Sequence, residues 1–141
     1  MKILFVCKGN MARSQMAEEF YNNLVKDGPR AVSAGTVPGT IPEEPEGWQL
    51  DEIPYLGHVI SVMKDMGFDI SKKKTIRVKA KMIDDADLII NMAEGETVPQ
   101  FLNDSKKMIR WEVPNPDGTI ESVIVAKDMI WKLVNELIKN K

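Results

Sequence analysis

Four apolar residues in succession, Ile3-Leu4-Phe5-Val6, lead directly into Cys7. A run this short with no polar position reads as a strand buried on both faces, so the fold must supply a layer above it and a layer below. From Ser14 the positions Met16, Ala17, Phe20, Tyr21, Leu24 and Val25 recur at helical spacing, and Asp27-Gly28-Pro29 ends them. The same alternation continues. Ala31-Val32-Ser33-Ala34 predicts a second strand, closed by Gly35, and Val59, Ile60, Val62, Met63 and Met66 predict a helix capped at Gly67. Asp87-Leu88-Ile89-Ile90-Asn91 and Met108-Ile109-Arg110-Trp111 predict two more strands. A last helix is expected to carry Ile124, Ile130, Leu133, Val134, Leu137 and Ile138. Strands alternating with helices imply an α/β fold, right-handed crossovers and a parallel sheet with helices on both faces.

A length of 141 residues suits one domain spanning 1–141. Residues 37–57 hold Pro38, Pro42, Pro45 and Pro54 with five acidic side chains, and read as a long surface loop inside that domain. A net charge of -2 favours neither nucleic acid nor an anionic membrane as partner. No apolar run approaches the roughly 20 residues that span a bilayer. The N-terminal run is too short for a signal-peptide core, so a cytoplasmic location is expected. One cysteine excludes an intramolecular disulfide or a cysteine-cluster metal site. One histidine, His58, leaves no donor set for most zinc sites and is read as structural.

The chemistry therefore concentrates between the first strand and the first helix, where ligands bind in open parallel sheets. Cys7-Lys8-Gly9-Asn10-Met11-Ala12-Arg13-Ser14 fits one purpose there. Successive backbone N–H groups and a helix N-terminus make a nest for an anion. Gly9 is expected to supply backbone freedom. Arg13 offers a planar fork of donors to two oxyanion oxygens. A cysteine beside that arginine and helix end is favoured as thiolate, and Ser14 can donate its hydroxyl to it.

The stretch from Val6 to Glu18 resembles the signature of low-molecular-weight protein tyrosine phosphatases and the related arsenate reductases. Ser33-Ala34-Gly35-Thr36, Gly67-Phe68-Asp69-Ile70-Ser71 and Asp87-Leu88-Ile89-Ile90 extend the resemblance over most of the chain. It implies a four-stranded parallel sheet in the order 2-1-3-4 and hydrogen bonds from Asn10, Ser14 and Ser33 that shape the loop. It also implies a cysteinyl-phosphate route with no metal or organic cofactor. The substrate would be a phosphorylated protein or a small phosphate ester. Met11 stands where phosphoarginine phosphatases carry threonine, which leans towards phosphotyrosine-like substrates. In the reductase branch Asn10, Glu18, Ser33 and Asp69 match residues that hold potassium; here the same four are read as hydrogen-bonding partners.

Two departures matter. Phosphatases of this kind place an aspartate directly before a late proline as general acid, and this chain reads Asn115-Pro116 there, with Asp117 the nearest carboxyl. A thioredoxin-coupled reductase needs two further cysteines, which the chain lacks, so only arsenate reduction with an external small thiol survives. A third reading is an oxyanion- or phosphotyrosine-binding protein impaired in turnover. Trp48 could wall the cleft, but is expected to pack under its own loop.

Overall fold

The computed structural model describes residues 1–37 and 46–140. Its sheet has four parallel strands, β1 (Ile3–Cys7), β2 (Val32–Gly35), β3 (Leu88–Asn91) and β4 (Met108–Arg110), in the order β2-β1-β3-β4. This is the order the resemblance implied. All five residues of β1 are buried, and their side chains alternate between two cores. Ile3, Phe5 and Cys7 enter the larger core, while Leu4 and Val6 enter the smaller. The period of two along a strand is what turns one unbroken apolar run into two faces.

Three helices cover the larger core: α1 (Arg13–Leu24), α2 (Gly57–Asp65) and α5 (Ile120–Lys139), the last packed along both others. Aromatic contacts fix them to the sheet. Phe5 of β1 meets Tyr21 of α1 at 6.2 Å between ring centroids, and Phe20 of α1 meets Trp131 of α5 at 5.0 Å. Burial of each such ring contributes roughly 1.5–3 kcal/mol, which holds the loop between β1 and α1 on a rigid base.

The smaller core lies under two short helices, α3 (Ala80–Asp85) and α4 (Gln100–Asn103), through Ile83 and Leu102. Neither helix was expected, because six and four residues are too few for a helical period to show. The last helix packs on the larger core through Ile130, Leu133, Val134, Leu137 and Ile138, as expected, and differs only at its start. Val123, Ala126, Ile130 and Val134 are buried, whereas Ile124 is 39% exposed. Residues 46–57 are not simply a surface loop either. Leu50, Ile53 and Leu56 enter the larger core around a 3-10 turn at Leu50–Glu52. Pro38, Pro42 and Pro45 lie outside the described residues. No described helix is long and apolar enough to cross a membrane.

Candidate functional site

The loop from Cys7 to Ala12 turns through one left-handed residue, Asn10, at φ 56°. Asparagine tolerates that conformation better than most side chains. The backbone freedom expected of Gly9 is therefore exercised at Asn10. A Cβ at Gly9 would lie 2.7 Å from the Met11 methyl, the flexible end of a side chain that can move aside. Gly35, at the end of β2, backs the loop against main chain instead. A Cβ at Gly35 would stand 2.9 Å from the Lys8 carbonyl oxygen and 3.0 Å from the Asn10 nitrogen.

Behind the loop runs a hydrogen-bonded chain whose direction is forced by its ends. The backbone N–H of Ile76 donates to Asn10 Oδ1 at 2.8 Å, so the Asn10 amide must aim its NH2 the other way. That NH2 donates to Ser33 Oγ at 3.0 Å and to Ser14 Oγ at 2.8 Å. Ser33 Oγ donates onward to Glu18 Oε1 at 2.9 Å, and Glu18 is paired with the Lys73 ammonium. Ser14 Oγ, which accepts from Asn10, also lies 3.0 Å from Cys7 Sγ, where its hydroxyl can donate to a thiolate or accept from a thiol. Of the four residues matched to a potassium site, Asn10, Ser33 and Glu18 are thus joined by hydrogen bonds. Asp69 instead accepts from the Ser71 N–H at 2.9 Å, and the Glu18 carboxylate is paired with Lys73.

Arg13 is 1% exposed and held from three sides. Its Nη1 donates to the Met92 carbonyl at 2.7 Å and the Val113 carbonyl at 3.0 Å. Glu94 grips Nη1 and Nη2 together, each at 3.0 Å. Among the described residues nothing accepts from Nε or from the second proton of Nη2, and these two donors share one edge of the guanidinium. That edge is left for two oxyanion oxygens. The hydrogen bonds from Arg13 hold the Glu94 carboxyl below its ordinary value, against the opposing effect of burial.

The loop floors a cleft of about 310 Å³, into which Cys7, Lys8, Gly9, Met11, Ala12 and Arg13 all face. Asn10 and Ser14 do not line it; both are fully buried behind it. The rest of its lining comes from Tyr55, Leu56, His58 and Val59 around the start of α2 and from Asn115, Pro116, Asp117 and Gly118 ahead of α5. The aromatic wall is therefore Tyr55, whose hydroxyl lies 3.6 Å from Met11 Sδ. Trp48 packs against the larger core, as expected. His58, read from the sequence as structural, stands exposed on the first turn of α2 at the edge of the cleft.

Asp117 reaches the cleft, but its Oδ1 accepts from the Thr119 N–H at 3.0 Å and the Thr119 hydroxyl at 2.7 Å. Thr119 in turn caps α5 by accepting from the Ser122 N–H. These bonds hold the Asp117 carboxyl down to about 2.

A model of the family "low molecular weight phosphotyrosine protein phosphatase" matches residues 2–118. The chain belongs to that family. Its similarity to individual members is spread over both activities of the superfamily. Over 139 residues it is 27% identical to a glutaredoxin arsenate reductase of Synechocystis, covering 97% of this chain and 95% of that protein. A low-molecular-weight protein tyrosine phosphatase from T. tengcongensis superposes at a TM-score of 0.80 with 25% identity, over 100% of this chain and 99% of the other. An arsenate reductase in its phosphate-binding state superposes at 0.76 with 26% identity, over 99% and 97%.

Asn115, the residue that the resemblance matches to the acid position, lines the cleft together with Cys7 and Arg13. Glu94, Tyr55 and Lys73 were not foreseen from the sequence. Each lies between 44 and 81 residues from its partner on the loop or α1 (Arg13, Met11 and Glu18), and no local pattern announces them.

Proposed function

We propose that the protein hydrolyses phosphate monoesters of the aryl, phosphotyrosine type through a cysteinyl-phosphate intermediate. The observation that carries this reading is the union, on one cleft floor, of a cysteine hydrogen-bonded to the Ser14 hydroxyl and an arginine with one donor edge left open. Cys7 attacks phosphorus, the open edge of Arg13 and the loop amides bind the equatorial oxygens, and water then releases phosphate. The wall made by Tyr55 and Met11 suits a flat apolar leaving group. The substrate is thus a phosphorylated protein or a small aryl phosphate, and the protein is expected in the cytoplasm.

Arsenate reduction with an external small thiol is the second reading. Cys7 is the only cysteine, so a second thiol would have to come from outside. Near-full-length similarity to a glutaredoxin arsenate reductase favours keeping this reading. Both can be assayed on one preparation. Hydrolysis of an aryl phosphate that Cys7→Ser abolishes, with a phosphocysteine trapped on rapid acid quench, supports the first. Arsenate turnover that requires added glutathione, with no ester hydrolysis, would replace it. Tight phosphate binding without either activity would leave an oxyanion-binding protein.

A further inference from the structure

With no carboxylic acid at position 115 and Asp117 committed to Thr119, the cleft still needs a group that can protonate a departing oxygen. Histidine is the side chain that exchanges a proton between pH 5 and pH 8. The one histidine of the chain lines the cleft that Cys7 floors. Asp117 and Gly118 line the same cleft, and with Gly118 and Tyr55 His58 also bounds a smaller adjoining cavity. The leaving group of an ester seated on the loop would lie in this cleft, within the lining to which His58 belongs. We propose that His58 donates the proton to the leaving oxygen, in the place of the aspartate that the family carries at the position of Asn115.

The proposal rests on the phosphatase reading above. In the first half-reaction an S–P bond forms from the Cys7 thiolate as the ester P–O bond breaks. The electron pair of that bond stays with the departing oxygen, which takes its proton from the His58 imidazolium. In the second, the neutral imidazole removes a proton from water as the water oxygen attacks phosphorus. The S–P bond breaks, and thiolate, inorganic phosphate and imidazolium are restored. The charged and titratable groups that line the cleft with His58 are Cys7, Lys8, Arg13, Tyr55 and Asp117. Lys8 and Arg13 keep the floor positive for the phosphoryl group.

The test compares two esters that differ in how much they need an acid. Dinitrophenyl phosphate expels a stable anion unaided, whereas phenyl phosphate does not. Because both esters share the second half-reaction, the comparison is made in kcat/KM, which reads only the first. His58→Gln should leave kcat/KM for the dinitrophenyl ester within about threefold of wild type and lower kcat/KM for the phenyl ester by about a hundredfold, the low end of what general-acid catalysis supplies. His58→Asn repeats the comparison with a smaller side chain, guarding against a defect of one substitution. Asp117→Asn should change both esters alike. Equal losses on the two esters in both His58 variants, or a loss selective for phenyl phosphate in Asp117→Asn, would overturn the proposal while leaving the phosphatase reading intact. A wild type that hydrolyses neither ester would overturn both.

Discussion

At the residue scale the chain of bonds behind the loop is oriented by Asn10, whose Oδ1 accepts from the Ile76 N–H and whose NH2 therefore donates to Ser14 and Ser33. Ser14 Oγ lies 3.0 Å from Cys7 Sγ, where it can donate to a thiolate. Ser14→Ala removes that donor and leaves the buried Asn10 NH2 with Ser33 Oγ as its remaining hydroxyl acceptor. Hydrogen bonds to charged partners are worth about 1.5–3 kcal/mol, which corresponds to a fall of roughly 10- to 100-fold in kcat for an aryl phosphate. Iodoacetamide labelling of Cys7 at pH 7 should slow in parallel. Labelling as fast as wild type would mean that Ser14 does not support the thiolate. This part of the site was legible in the sequence, because Cys7, Asn10, Arg13 and Ser14 lie within eight residues and their residue types state their chemistry. The role of Gly9 was not. A glycine in a tight loop suggests a positive φ, but the left-handed residue is its neighbour Asn10.

At the scale of elements, the loop keeps its shape because β2 and the segment after it press on its back. The Cys7 and Lys8 carbonyls accept from the N–H groups of Thr36 and Val37, and Gly35 exchanges bonds with Ile76 and Val78. Gly35 is thus sandwiched between the loop and the chain that supplies the Ile76 N–H to Asn10. A methyl group there would meet backbone atoms of Lys8 and Asn10, which cannot swing aside as a side chain could. Gly35→Ala should therefore cost about 1–3 kcal/mol of stability by overpacking and weaken inorganic phosphate as a competitive inhibitor. Unfolding in urea reads the first and inhibition constants read the second; normal phosphate affinity would show that the loop does not depend on this contact. The strands and long helices were readable from periodicity alone. The errors came where periodicity fails. Helices α3 and α4 are shorter than two turns, and in α5 the apolar residues run nearly all round, so Ile124 and Val123 compete for the core and the sequence does not say which wins.

On the scale of the molecule, the parallel order β2-β1-β3-β4 brings the carboxyl ends of all four strands to one edge, and Arg13 ties three of the segments that leave it. Its guanidinium joins the loop after β1 to Met92 and Glu94 after β3 and to Val113, two residues before Asn115. No sequence pattern could pair Glu94 with Arg13, since only the assembled sheet places them together. The Arg13–Glu94 pair makes a prediction with a definite sign. The Glu94 carboxyl lies below its ordinary value of 4.5 in the folded protein, chiefly through the Arg13 hydrogen bonds. A depressed carboxyl contributes stability that is complete above the unfolded value and is lost as pH falls through the folded one. Glu94→Gln cannot ionise, so it lacks that contribution at every pH. Because the Glu94 side chain is 36% exposed, solvent screening reduces the expected difference from wild type to about 1 kcal/mol at pH 7. The difference should stay constant down to about pH 5 and shrink as pH falls below 4.5. Urea unfolding of both proteins across that range measures it directly. A gap that did not change with pH would mean that the charge of Glu94 plays no part in holding Arg13, and that the three segments are fixed by the carbonyls of Met92 and Val113 alone.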